Sequence, residues 1–445
     1  MLGVLRHRTY RHLFAAQVVA LVGTGLATVA LGLLAYDLAG EDAGAVLGTA
    51  LAIKMVAYVT LAPLAAALAR HASPRALLVG LDLLRAAVVL FLPFVSAVWQ
   101  VYVLVLLLQA ASAAFTPAFQ ATIPDVLPDE EDYTRALSLS QLASDFETLL
   151  SPLLAAALLT VVSFPALFGG TVAGFLASAL LVLTVRLPAR AAPPEEEGTW
   201  RAATKGLRVM WRTPRLRGSL ALELAVAAAG SMVLVNTVVL VRDRLALGEA
   251  QLALALGAFG GGSMLAALLT PWLLDRAPGD APERMVMLGG GALMVGGVAL
   301  AAGAGSLPAL MALWAAVGFG FALTQTPIGR LLVRSAQPAD RPALYAAQFA
   351  LSHAAWLLAY PLAGWVGAGL GLGAAFAGLT ALGLVGLLAA LAAWPARDAA
   401  AIPHAHPDLA PDHPHLREHG RAHVHPLVID ALHRHWPRRP GRSVV

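Results

Sequence analysis

The chain alternates between long apolar runs and short polar breaks from one end to the other. Runs of about twenty apolar residues, enough to cross a bilayer as a helix, fall near 12–38, 44–69, 76–98, 101–123, 135–162, 166–186, 217–241, 251–274, 285–304, 308–331, 343–367 and 372–394. The pattern predicts an all-α membrane protein with twelve transmembrane helices and both termini on one side. A polar stretch, 187–216, separates a first six-helix half (1–186) from a second (217–396), and a polar tail (397–445) follows.

The two halves echo each other. Thr116-Pro117 near the end of span four answers Thr326-Pro327 near the end of span ten, and Pro128 in the next loop answers Pro338 at the same offset. Duplicated halves of this kind mark a large class of transporters, whose sites lie at mid-membrane between the repeats. The linker opens with Pro193, Pro194 and three glutamates and then turns helical. Trp200, Leu207, Met210 and Trp211 make one apolar stripe, with Arg201, Lys205, Arg208 and Arg212 on the other faces. That suits either a short helix lying on the membrane surface or a solvated linker.

Charge sets the expected orientation. Arg6, Arg8, Arg11, Arg70, Arg75, the eight basic residues of the linker region, and Arg276, Arg284, Arg334 and Arg341 all fall on one side, against Arg242 and Arg244 on the other. Both termini are therefore expected to be cytoplasmic. With 59% hydrophobic and 13% charged residues, a soluble domain is excluded, and the net charge of +4 reflects topology rather than a nucleic-acid partner. Cysteine is absent, which removes disulfides, thiolate metal sites and cysteine nucleophiles. No phosphate-binding loop and no catalytic triad or metalloprotease helix is visible, so the chain is not expected to be an enzyme, and energy would come from an ion gradient.

Span five, RALSLSQLASDFETLLSPLLAAALLTVV, departs from the apolar pattern. It carries Asp145 and Glu147 near its middle, where a charge costs about 2.5–3.5 kcal/mol on insertion scales. The pair is either structural, with one acid paired and the other protonated, or an acidic site for a cation or a proton. At about 1.5 Å per residue, Asp145 lies about 15 Å from Arg135; His353 in span eleven and Lys54 in span two fall at a similar depth. Gln141 stands one turn from Asp145, and Gln348 precedes His353 by five residues. Asp145, Glu147, Lys54, His353, Gln141 and Gln348 are the candidate transport and coupling residues. Positions 145 and 147 point about 200° apart on a helix, so one acid is expected to face the cavity and the other a neighbouring helix.

The tail holds nine of the thirteen histidines. His404/His406, His413/His415, His423/His425 and His433/His435 recur every nine or ten residues, with His419 between. Neutral imidazole suits Ni²⁺, Co²⁺, Zn²⁺ and Cu²⁺, so these nine are candidate metal ligands in a proline-punctuated, flexible segment; a disordered basic tail is the other reading.

Pro63 to Arg75, PLAAALARHASPR, and the second-half PWLLDRAPGD resemble the signature that follows span two and its repeat in the major facilitator superfamily, over residues 1–396. The second copy keeps Asp275 and Arg276; the first has Arg70 where the aspartate would stand, and Asp82 with Arg85 in LDLLRA offers a substitute pair. The resemblance implies the major facilitator fold, with Asp82, Arg85, Asp275 and Arg276 as gating or structural residues, span two facing span eleven, and span five meeting span eight at Gly260, Gly261, Gly262 and Ser263. The tail and the strings WQVYVLVLL, FTPAFQATIPDVLPDEEDYTRALSLS and LLSPLLAAALL resemble the nickel-resistance exporters of that superfamily. What that implies is export of Ni²⁺, with Co²⁺ as a second ion, by proton antiport across a bacterial inner membrane. The protein would be a monomer whose partners are lipid, metal ion and proton, with no cofactor beyond transported or tail-bound metal. Proton-coupled export of an organic compound and a non-transporting metal sensor are the rival readings.

Overall fold

The structure is a computed structural model that describes residues 2–40, 43–188, 198–277, 281–396, 398, 401–405, 410, 414–420, 422–430, 432–433 and 435–437. The first half comprises α1 (Arg8–Ala39), α2 (Ala43–Leu68), α3 (Pro74–Phe91), α4 (Val98–Val126), α5 (Glu130–Leu159) and α6 (Phe164–Leu183). A linker helix, α7 (Thr199–Arg212), leads into α8 (Pro214–Val239), α9 (Glu249–Arg276), α10 (Pro282–Ala301), α11 (Leu307–Gln325), α12 (Ile328–Arg334), α13 (Arg341–Pro361), α14 (Gly367–Leu370) and α15 (Leu372–Ala393). Among the described residues, eleven spans are long and apolar enough to cross a membrane by themselves; α5, the one with two acids, completes twelve only as two segments bent by 40° between Ser151 and Leu153.

Local sequence sets the helix ends. Ser73 caps α3 by accepting from the Ala76 N–H at 3.2 Å, with Pro74 at the first helical position. Asp129 does the same for α5 through the Asp132 N–H at 3.0 Å, and Glu130, Glu131 and Asp132 complement the positive end of the helix dipole. α1 stops at Gly40, whose φ of +55° is open to glycine. Span ten is broken near its end: Pro327, which has no N–H to continue the helix, separates α11 from α12.

The halves share one packing scheme. In the first, α1 packs on α5 and α6, α2 on α4, and α3 on α4 and α6; in the second, α8 packs on α13 and α15, α9 on α11, and α10 on α11 and α15. Close approach rests on small residues, as in other membrane bundles. A Cβ at Gly262 of α9 or Gly318 of α11 would collide with the carbonyl of Ala315 or of Phe259 on the facing helix. Between the halves, α2 meets α13 and α5 meets α9, the pairing the resemblance implied.

The linker helix differs from its expected stripe. Ala202, Ala203, Gly206, Val209 and Met210 are buried, with α7 set against α2 and α13, while Trp200 and Trp211 stay exposed. The small Gly206 decides the inward face, because any Cβ there would strike the Ala343 carbonyl of α13. Pro193, Pro194 and the three glutamates lie outside the described residues.

The tail carries β1 (Ile402–Ala405), α16 (Pro414–His419) and β2 (Ala422–His425), with β1 and β2 antiparallel and His404 opposite His423. It is seated on the second half: Asp398 pairs with Arg215 at 3.2 Å with both side chains buried, and Trp436 lies 5.1 Å from the Arg215 guanidinium. Ile429 and Trp436 join the core around Leu216 and Trp394.

Candidate transport cavity

A cavity of about 450 Å³ opens between the halves, lined by α1, α4 and α5 on one side and α8, α9, α11, α12 and α13 on the other. Its polar wall comes mainly from α5, where Ser140, Gln141, Ser144, Asp145 and Thr148 follow one helical face. Asp145 is 9% exposed and accepts from Gln141 Nε2 at 3.0 Å and, across the halves, from Ser263 Oγ at 2.8 Å. Ser263 belongs to the glycine run of α9, so the small residues that let α9 approach also bring a hydroxyl to the acid.

Glu147 turns the other way. It is absent from the cavity wall and faces α1, where a Cβ at Gly25 would lie 3.1 Å from Glu147 Oε1. The two acids thus divide as their 200° separation requires. Lys54 lies within electrostatic reach of both Glu147 and His353. Its ammonium sits 5.6 Å from the Tyr58 ring centroid, and Tyr58 stands edge-on to His353 at 4.8 Å. Phe349 covers another side of the imidazole at 4.2 Å. His353 Nδ1 lies 2.7 Å from the Phe349 carbonyl, an acceptor only, so in the neutral ring Nδ1 carries the proton and Nε2 keeps its lone pair. His353 and Gln348 line the cavity together with Phe259, Phe321, Phe349 and Trp356.

Gln348 leads to an acid that is not among the six candidates. Its Nε2 donates to Glu223 Oε1 at 2.8 Å, and Gln325 Nε2 donates to Glu223 Oε2 at 3.1 Å. Glu223 is fully buried on α8. The available signal was a glutamate in an otherwise apolar span; its amide partners, 102 and 125 residues away, left no local trace.

The candidate gating residues hold places within the halves. Asp82 and Arg85 form a buried pair in the first half; Asp82 also accepts from Ser178 at 2.8 Å, and Arg85 stacks over Phe115 and Phe175. Asp275 and Arg276 are exposed at the end of α9, with Arg276 4.6 Å from the Trp272 ring. Other residues bridge the halves at the end carrying the basic loops. Tyr133 and Tyr345 join their hydroxyls, Arg330 reaches Glu130 and Thr134, and Arg341 pairs with Asp125 at 3.1 Å. Glu283 fixes this closure from behind through Arg330 at 3.0 Å and Arg334 at 2.9 Å.

In the tail, His415, His423 and His425 bring one nitrogen each within 4.8 Å of one another, and His415 Nε2 lies 3.1 Å from His423 Nε2. That is near the spacing of about 3.0–3.4 Å between nitrogens sharing a metal at 2.0–2.1 Å. His423 and His425 direct Nδ1 to the carbonyls of Gly420 and Pro426, and His433 directs Nδ1 to Asp430 at 3.0 Å. Such bonds fix the tautomer and leave Nε2 as the ring nitrogen that carries the lone pair. The His433 ring stands 5.2 Å from His425 and 5.5 Å from His415, while His435 is exposed. His406 and His413 lie outside the described residues, as do the side chains of His404 and His419.

The two packed six-helix halves around one central cavity have a counterpart in a family match. Residues 13–306 and 225–428 match the Major Facilitator Superfamily. This chain belongs to that superfamily. Like its members, this facilitator is a multi-pass membrane transporter. Its fold is similar to a human organic anion transporter (TM-score 0.73, 15% identity, covering 86% of this chain and 99% of that one). It is similar too to the Escherichia coli fucose:proton symporter (0.68, 15%, 87% and 98%) and to an outward-facing bacterial homologue of the iron transporter ferroportin (0.67, 16%, 86% and 97%). In sequence, the facilitator is 26% identical to macrolide efflux protein A of Streptococcus pyogenes over 181 residues, 40% of this chain. That alignment spans 44% of the relative's length.

Proposed function

We propose that this facilitator exports a divalent metal cation, Ni²⁺ with Co²⁺ as a second ion, from the cytoplasm of a bacterial cell in exchange for protons, as a monomer with both termini cytoplasmic. The observation that carries the metal assignment is the approach of His415, His423 and His425 within 4.8 Å, in a tail seated on the second half at the α8 end. Imidazole nitrogens suit these borderline ions, and the cysteine-free chain offers no softer thiolate. The tail collects the ion at the inner mouth. In the cavity, Asp145 is the carboxylate that receives it, with Gln141, Ser263 and the Nε2 of His353 as neutral donors of electron pairs nearby. A proton and a metal compete for the same carboxylate oxygens, so an acid that faces each side in turn can exchange one for the other.

A second reading, export of an organic compound, is favoured by Phe259, Phe321, Phe349 and Trp356 in the cavity wall and by the similarity to a macrolide efflux protein. Efflux of radiolabelled Ni²⁺ from loaded vesicles, with and without a pH gradient, separates the two. Proton-dependent Ni²⁺ loss supports the metal reading. No Ni²⁺ flux, with macrolide-type compounds moved instead, replaces it by the second.

A further inference from the structure

Glu223 sits nine residues past Pro214 on α8, about 13 Å along the helix, and is fully buried. Both oxygens accept from side-chain amides that line the cavity, Gln348 on α13 and Gln325 on α11. Among the described residues, no side-chain cation pairs with it. Of the elements packed on α8, α11 and α15 carry no charged residue; α10 and α12 pair Glu283 with Arg330 and Arg334, and Arg284 of α10 donates to the Trp394 carbonyl. Arg217 of α8 is exposed, and just past its end Arg242 goes to Glu249 and Arg244 to the Ala302 carbonyl. On α13, Arg341 goes to Asp125 and His353 to the Phe349 carbonyl, while Asp275 and Arg276 of α9 are exposed. Lys205 of α7 is bound to Asp340, and Arg215 of α8 itself to Asp398. A carboxylate held in a dry bundle by neutral groups alone is not repaid for its lost hydration, and taking up a proton removes that cost.

The structure also holds the acceptor that a protonated Glu223 needs. Gln348 Oε1 is buried and, among the described residues, has no hydrogen-bond partner. When Glu223 takes up one proton, its new O–H can donate to Oε1 once the Gln348 amide turns half a revolution, and one N–H···O bond is replaced by one O–H···O bond. No other bond changes. The turn exchanges the end of Gln348 directed away from Glu223, from a carbonyl oxygen that attracts a cation to an NH₂ that repels one.

We propose that Glu223 is a proton-carrying group of the transport cycle, and that Gln348 relays its protonation to the cavity by turning its amide. This rests on the proton-exchange reading above, and it adds a carboxylate to Asp145, so that a dication can leave against two protons. The test uses full-length protein in phospholipid vesicles. Without any metal, pH-difference infrared spectra of the wild type should contain a protonated-carboxyl band that Glu223→Gln lacks. Glu223→Asp should keep it, and Gln348→Leu should move its midpoint by about one pH unit or more. With Ni²⁺ as probe, Glu223→Gln should retain counterflow and lose the acceleration by a pH gradient, a loss of about tenfold or more. Spectra identical in wild type and Glu223→Gln would overturn the proposal, as would an intact pH-gradient response in that variant. Should Glu223→Gln fail to fold, absence of the band in Glu223→Asp overturns it equally. The infrared arm contains no metal, so a wild type that moves no Ni²⁺ refutes the substrate assignment alone.

Discussion

Asp145→Asn probes the cavity most directly. The side chain keeps its shape and its place on α5. Its Oδ1 still accepts from Gln141, and its new NH₂ can donate to Ser263 Oγ, which accepts as well as donates. Both hydrogen bonds therefore survive, and the variant should insert in normal amount. What is lost is one negative charge. A unit charge pair at 4 Å is worth about 4 kcal/mol at an effective dielectric constant near 20, and a dication feels at least that, so cavity affinity should fall about a thousandfold. The tail site would mask this change, so the measurement belongs in a background carrying His423→Ala and His425→Ala, which removes two of the three converging imidazoles. Calorimetric Ni²⁺ titration and vesicle efflux then read the cavity alone. Glu147→Gln serves as the comparison, because Glu147 faces α1 and lies off the cavity wall; it should weaken binding far less. Equal Ni²⁺ affinity in the Asp145→Asn variant and its parent would refute the assignment and move the search to His353.

His423→Ala with His425→Ala should leave efflux from metal-loaded vesicles intact while lowering Ni²⁺ affinity of the full chain at submicromolar metal by about a hundredfold; the wild-type tail affinity should weaken as the medium is acidified, because protons compete for the ligand nitrogens. Unchanged affinity would show that the tail cluster is not a metal site. A reporter fused after Val445, or inserted at Gly198, should read cytoplasmic, and a periplasmic signal from either overturns the orientation derived from the loop charges. Gly262→Val forces a side chain into the Ala315 carbonyl and should destabilise by about 1–3 kcal/mol or more, seen as a lower melting temperature in detergent; a normal melting curve would mean that α9 and α11 can separate at no cost. Arg330→Ala leaves the buried Glu283 with Arg334 alone and removes the link to Glu130. It should raise the accessibility of cavity positions such as Ser144→Cys to a thiol reagent added from the basic-loop side, and unchanged labelling would remove Arg330 from the closure.

Much of the fold could be read from the chain because each span answers to local physics. A run of about twenty apolar residues must become a helix in lipid, where no other local structure satisfies its backbone, and Ser73, Asp129, Gly40 and Pro327 mark ends or breaks by chemistry confined to a few neighbours. Helical periodicity likewise foretold that Gln141 would reach Asp145, four residues on, and that Asp145 and Glu147 would part. Partners across the molecule were another matter. The bond from Ser263 to Asp145, the amides around Glu223 and the closure by Tyr133, Arg330 and Arg341 join residues more than one hundred positions apart. Each depends on the rotation and depth of one helix against another, which packing of glycines and alanines sets and no periodicity records. The tail divides in the same way. Its nine histidines recur at a regular spacing, but which of them come together follows from the β1–β2 register, the Asp430 contact and the seat on Arg215. A ligand set is a matter of distances in space, and only the folded chain supplies them.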